Sequence, residues 1–357
     1  MPTLMPSASL RSVPEFRLQD LEVLRLVLRG DSIIDWPRLN FESEDEVRAF
    51  IRNHELDPDD PSDRRFMEHI QAEAVDYLRR NFRFAIPTPV RTASLEQLLL
   101  VASGKGHRQL CACTILKTIH IINHMAGREL LFRLPVSDRD LFHLVEEKVY
   151  RVVGAMLSDG FPITEFIGGR KNLDSTYTKL LSKAEASALA LYDKLRFRIV
   201  TRAGDDILPI LLYLTERLFP FNYAVPRQAT NTIFHLRSYC ESHPDLRKLV
   251  ERLSYLEDSL TPTDNRFTAP AYRVIQFVTE VPVRVPAHVM EVAPAGSESL
   301  GPVVCLLCEF QLLDAESDEA NEKGEASHDA YKLRQREAVS RRLRLGARRS
   351  RGPVPHD

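Results

Sequence analysis

Apolar residues in the first part of the chain recur every three to four positions. In LQDLEVLRLVLRG they stand at Leu21, Leu24, Val27 and Leu28, one face of a helix, and Gly30 supplies a stop. DPDDPSDRRFMEHIQAEAVDYLRR opens on Pro and Asp residues suited to a helix start and continues with helical spacing. RQLCACTILKTIHIINHMAG and DRDLFHLVEEKVYRVVGAML predict two more helices, so residues 1–160 read as an all-helical N-terminal region.

After Gly160 the period changes. ITEFIGG predicts a short strand and DSTYTKLLSKAEASALALYD a helix. KLRFRIV alternates, with Leu195, Phe197 and Ile199 on one face and Arg196 and Arg198 on the other. DDILPILLYLTERLF returns to helical spacing, and inserted helices are expected over about 221–262. AYRVIQFVTEVPVRV and GPVVCLLCEFQLLD predict strands, and a final helix is expected from about Glu325, after DAESDEANEKG as a turn or solvated helix start. Strands interleaved with helices predict an α+β fold, a mixed sheet of about five strands flanked by helices. The division is then 1–160 helical, 161–336 sheet-bearing, and 337–357 a basic tail expected to be disordered.

Composition narrows the class without naming a function. The 357 residues are 44% hydrophobic and 27% charged with net charge −2, which suits a globular protein and argues against wholesale coating of nucleic acid. Charge is uneven: from Arg334 onward there are eight Arg against Glu337 and Asp357. Five Cys make no disulfide scaffold. Cys305 and Cys308 spell C-x-x-C but sit in a strand pattern, where residues three apart point to opposite faces and cannot chelate together. No apolar run approaches the ~18 residues of a membrane span, so a cytoplasmic protein without membrane contact is expected.

Several residues are candidates for chemistry. Lys171, Ser175 and Lys179 are four apart and share a helix face beside Arg170. Cations at a helix N-terminus oppose the dipole, so the pattern points either to a docked anion or to a solvated charged face. Asp193 precedes one strand, and Glu309 lies within another beside Gln311 on the same face. Two carboxylates on neighbouring strands suit Mg²⁺; a place on an edge strand would equally explain Glu309. Tyr272 opens YRVIQFV and is either a stacking platform for a base or core. His120 and His124, four apart, are a packed helix face or half of a metal site.

In order along the chain these residues resemble the synthetase domain of RelA/SpoT-type (p)ppGpp synthetases. Lys171, Ser175 and Lys179 keep that family's K-x-x-x-S-x-x-x-K spacing, with Arg170 directly before them. Asp193 and Arg198 keep its D-x-x-x-x-R, and Glu309 and Gln311 its E-x-Q. Thirteen residues on, Glu322, Gly324, Ala326, His328, Tyr331 and Lys332 match its closing E-x-G-x-A-x-H-x-x-Y-K. Departures fall on the acceptor side: Leu313 replaces an Arg, Gln276 a His, and Pro270-Ala271 an Asn-Gly, while only Arg266 matches the basic segment before Tyr272.

The resemblance covers about 163–336 and implies a nucleotidyltransferase-like fold. It implies transfer of pyrophosphate from ATP to a ribose 3′-hydroxyl, with GDP or GTP as acceptor. Arg170, Lys171, Ser175, Lys179 and Arg198 would hold ATP. Asp193 and Glu309 would be catalytic and hold Mg²⁺. Tyr272, Gln276 and Arg266 would receive the acceptor, and Gln311, Glu322, His328 and Lys332 belong to the closing-helix motif. Two other functions stay open: the same fold acting on an adenine nucleotide or a tRNA 3′ end, with the Arg-rich tail on RNA, or a degenerate nucleotide-binding or regulatory module. A homo-oligomer is compatible with each.

Overall fold

Caps and apolar stripes lay down the helical half largely as its periodicity predicts. A computed structural model describes residues 10–32, 34, 39–170, 172–182, 195–250 and 268–343. Helix α1 spans Leu18–Arg29 and ends on Gly30, whose φ of 65° closes it in the left-handed conformation. Then come α2 (Glu44–Asn53), α3 (Pro61–Phe82), α4 (Thr88–Arg91), α5 (Leu95–Ala102), α6 (His107–Arg133) and α7 (Asp138–Ser158). Asp60 caps α3 by accepting from the Ser62 and Asp63 amides, with Pro61 at the first helical position. Ser94–Gln97 and Ser137–Asp140 form capping boxes on α5 and α7.

The second half is β1 (Ile163–Arg170), α8 (Leu173–Ser182), β2 (Leu195–Thr201), α9 (Ile207–Arg217), β3 (Ala224–Asn231), α10 (Leu236–Ser242) and α11 (Pro244–Val250). It closes with β4 (Ile275–Arg284), α12 (Ala287–Glu291), β5 (Val303–Asp314), α13 (Ala315–Asn321) and α14 (His328–Arg342). The five strands form one sheet in the order β1-β2-β5-β4-β3. Only the β2–β5 pairing is parallel, so the sheet is mixed, as the interleaved pattern predicts.

Three expectations need correction. The segment expected as inserted helices from 221 passes instead, after a 3₁₀ turn at Phe221–Tyr223, into β3, which pairs Ala229, Thr230 and Asn231 with Phe277, Gln276 and Ile275. The outer side of β4 carries backbone donors and acceptors that need partners, and this pairing overrides the weak helical signal of PRQATN. Helices follow only at α10 and α11; the rest of the stretch, 251–262, lies outside the described residues. β4 begins at Ile275, so Tyr272 precedes the strand rather than opening it. The final helix, expected from about Glu325, begins at His328. α13 ends at Asn321, Gly324 takes φ 62° in a short 3₁₀ turn, and Ser327 caps α14 by accepting from the Ala330 amide. A left-handed Gly followed by a good cap ends one helix and starts another.

Register puts a row of aromatic rings through the middle of the sheet. Phe197, Phe310 and Phe277 are direct cross-strand partners on β2, β5 and β4. Their centroids lie 5.3 and 5.6 Å apart, and Phe219, just after α9, joins at 5.7 Å from both Phe310 and Phe277. On β1 the row is completed by Gly168, where an added Cβ would come within 2.8 Å of Phe197 Cδ1. Tyr150 of α7 packs edge-on against Phe166 on the same side. One hydrophobic core runs from α1 to β5 without a break between the helical half and the sheet. Polar ties cross the same boundary: Lys148 of α7 pairs with Glu55 at 2.6 Å and donates to the Pro282 carbonyl, and Arg284 forks onto the buried Asp63 at 2.8 Å. Among the described residues no helix is long and apolar enough to cross a membrane.

Candidate functional site

The face of the sheet opposite the phenylalanine row is polar where β2, β5 and β4 meet. By period two, Arg196 and Arg198, Glu309 and Gln311, and Gln276 all project there. The ladder brings them into register: Arg196 opposite Glu309, Arg198 opposite Gln311, and Gln276 opposite Gln311.

Glu309 sits on the central strand, which removes an edge position as the explanation for a carboxylate there. It is 3% exposed. A buried carboxylate is tolerated only when paired and hydrogen-bonded. Arg196 Nε donates to its Oε1 at 2.7 Å, and Gln311 Nε2 donates to the same oxygen at 3.0 Å. Gln311 lies 3.3 Å from Gln276 Oε1, which extends the row onto β4. Arg198 pairs with Asp318 of α13, and its buried Nε has no hydrogen-bond partner among the described residues.

Helix α13 builds the other wall. Asp314 caps it, accepting from the amide and hydroxyl of Ser317 at 2.9 Å each. At its far end the buried Asn321 donates to the Arg273 carbonyl at 2.7 Å and accepts from the Arg273 amide at 2.9 Å. That clamp fixes the chain beside Tyr272. Thr232 holds the other side of the segment, donating to the Tyr272 carbonyl at 3.0 Å. The half-buried Tyr272 phenol has a pKa pushed up by burial, drawn down by Arg198 and Arg196, and pushed up again by Glu309 and Glu322. Its ring therefore lies within the field of the same charges that form the polar row.

The predicted site residues divide clearly. Glu309, Gln311, Gln276, Arg198 and Tyr272 converge, and Glu322 is exposed at the end of α13 within electrostatic reach of Tyr272. Arg170 does not join them. It shares the face of its β2 partner Leu195, forks onto Glu146 of α7 at 3.0 and 2.9 Å, and lies over the Phe142 ring. Ser175 and Lys179 are half-buried on one side of α8, a helix that packs beside α14. Lys332 is half-buried on α14, and His328 is that helix's first residue. Lys171, Asp193 and Arg266 lie outside the described residues, as does the end of the Arg-rich tail from 344.

Arg196, Asp318 and Asn321 complete the arrangement and were not singled out from the sequence. Alternation in LRFRIV does place Arg196 on the face of Arg198. Nothing local marks Asp318 or Asn321, because their partners are 120 and 48 residues away.

The donor set on this face bears on a divalent ion. Glu309 is its buried carboxylate, and the Oε1 atom is already held by Arg196 and Gln311. Among the described residues no three His, Cys, Asp or Glu side chains gather as a metal site. His120 and His124 each have partners of their own. His124 bonds Glu280 at 3.0 Å, and His120 sits 3.2 Å from Asn222 with its ring tilted against that of Tyr223. Cys305 and Cys308 are both free thiols.

No family model and no curated protein matches the chain. Solved structures do. It is similar to the small alarmone synthetase 1 of Bacillus subtilis bound to its product pppGpp, at 15% identity over 58% of this chain and 87% of that one, with a TM-score of 0.30. The small alarmone synthetase 2 of Bacillus subtilis is 14% identical over 61% and 98%, with a TM-score of 0.29. A GTP pyrophosphokinase family protein of Streptococcus pneumoniae is 14% identical over 57% and 84%, with a TM-score of 0.28. Likenesses this loose assign neither residues nor an activity.

Proposed function

We propose that this chain binds nucleotides on the Glu309 face and transfers pyrophosphate from ATP to the ribose 3′-hydroxyl of a guanine nucleotide. One observation carries the proposal: a buried carboxylate on the central strand, aligned with Arg196, Arg198 and Gln311 and within the field of Tyr272. The spacing of Lys171, Ser175, Lys179, Asp193, Arg198 and the Glu309–Lys332 set supports it from the sequence. In this transfer the 3′-oxygen attacks the β-phosphorus of ATP, the bond to the α-phosphate oxygen breaks, and AMP leaves. Such chemistry needs chiefly alignment and charge neutralisation.

Arg198, whose buried Nε has no hydrogen-bond partner among the described residues, is suited to receive a phosphate oxygen, and Lys171 and Lys179 supply further positive charge. Tyr272 offers a ring for the acceptor base, with Gln276 and Arg266 beside it in the proposal. Glu309 takes the hydroxyl proton, as a carboxylate within hydrogen-bond reach can. Asp193 and Glu309 would hold Mg²⁺, which when bound would neutralise the polyphosphate.

A second reading has its own observation. With Arg196 at 2.7 Å, Glu309 is already neutralised, which favours a module that binds nucleotide without turning it over.

Labelled ATP with Mg²⁺ and each of GDP, GTP, ADP and uncharged tRNA, resolved by thin-layer chromatography, separates these. AMP and a pyrophosphorylated guanine nucleotide are expected, with product lost in Asp193→Asn and Glu309→Gln. Product only with ADP or tRNA would move the acceptor, and deletion of 346–357 would then test RNA contact through its salt dependence. No AMP with any acceptor would overturn the transfer, and calorimetric nucleotide binding would then support the module.

A further inference from the structure

A cavity of about 110 Å³ lies between α2, α5, α6 and the turn that leads into β3, and no residue of the Glu309 row lines it. Its walls are apolar, built by side chains such as Ile51, Leu99, Leu116, Ile119 and Phe221. At one end His120 meets Asn222 at 3.2 Å, and Asn123 donates to the Tyr223 hydroxyl at 3.0 Å. His54 and His120 both line the space, and burial pushes their pKa values down to about 4 and about 3. Near neutral pH these rings carry no charge.

That leaves Lys117 as the one formally charged side chain in the lining. It stands three residues before His120 on α6 and is half-buried. It makes no hydrogen bond or ion pair among the described residues. A half-buried lysine with no counter-ion among the described residues, set beside an apolar space, is complementary to an anion with an apolar body. Dry apolar cavities of about 150 Å³ take up the six carbons of benzene, so this smaller space suits a body of about five carbons. A single cation matches a carboxylate better than a phosphate dianion, which calls for several donors.

We propose that this cavity binds a small monocarboxylic acid, its hydrocarbon body among Leu99, Leu116 and Phe221 and its carboxylate on Lys117 Nζ. The site is independent of nucleotide chemistry on the sheet.

Titration calorimetry of the full chain with hexanoate, 1-hexanol and hexylamine tests it. Hexanoate should bind about tenfold tighter than 1-hexanol, and hexylamine should bind weakest. Lys117→Met should abolish the preference for the acid while leaving 1-hexanol binding unchanged. Leu116→Trp should exclude both ligands, with a thermal unfolding curve confirming that the variant folds. Equal affinity for acid and alcohol, or a preference that survives in Lys117→Met, would overturn the proposal. Should Leu116→Trp fail to fold, the Lys117→Met comparison decides alone.

Discussion

At the scale of single residues, the pairing of Arg196 with Glu309 governs the polar face. Glu309 is 3% exposed while the Arg196 side chain is 41% exposed, so the two partners contribute unequally. Removing the guanidinium strands a buried carboxylate, whereas removing both charges leaves an apolar contact. Arg196→Met should therefore cost about 2 kcal/mol in urea unfolding, below the range for fully buried pairs because water already reaches the arginine. Arg196→Met combined with Glu309→Leu should recover most of that loss. A double variant as unstable as the single one would mean that Arg196 acts through packing rather than charge. Sequence spacing placed Glu309 and Gln311 on one face of their strand and Arg196 and Arg198 on one face of theirs, and the strand register joins the two. Spacing also pointed to Arg170 as their neighbour, yet an eight-residue strand ending on the opposite parity turns that side chain towards α7.

Among elements, β5 does the most to organise the molecule. It is the central strand, and it carries the aromatic row on one face and the polar row on the other. Phe310 is fully buried between Phe197, Phe277 and Phe219, so Phe310→Ala should lose about 3–5 kcal/mol through lost contacts and a cavity. Gly168→Ala tests the same layer from its edge. The new methyl would press on a ring that neighbours hold in place, and a loss of about 1–3 kcal/mol is expected from calorimetric melting. A neutral Gly168→Ala would show that β1 can shift without disturbing the row. Strand identity for β5 was legible because Cys308, Phe310 and Leu312 alternate with Glu309 and Gln311. β3 was not legible: its exposed, irregular stretch becomes a strand only because β4 offers it an edge.

For the whole molecule, acid should be the weak direction. The unfolded chain protonates His54 and His120 near pH 6.5, the folded chain only near about 4 and about 3. Between those limits the unfolded state holds more protons, so stability falls as pH falls. His124 opposes this. Glu280 raises its pKa, so its contribution is present below about pH 6.5 and fades as pH rises through the raised value. Around pH 5 His124 is charged in both states, so the two buried rings act unopposed and the loss is on the order of 2–3 kcal/mol per pH unit; His124 offsets them only above about pH 6.5. Chemical denaturation at pH 5, 6 and 7 should show it, and His120→Leu should flatten the slope by about one proton. An unchanged slope would place the acid-sensitive groups elsewhere.

By itself the sequence determined what depends on neighbours along the chain. Helix stops at Gly30, caps at Asp60 and Ser137, the alternation of β2 and β5, and the shared face of Glu309 and Gln311 all follow from local spacing and backbone preference. Tertiary structure alone decided what depends on distant partners. It put β5 in the centre, recruited β3, broke the closing segment at Gly324, set Arg196 against Glu309 across 113 residues, and hollowed a space beside Lys117. Periodicity says which way a side chain points; only packing, where backbone groups must find partners and buried charges must be paired, says what it meets.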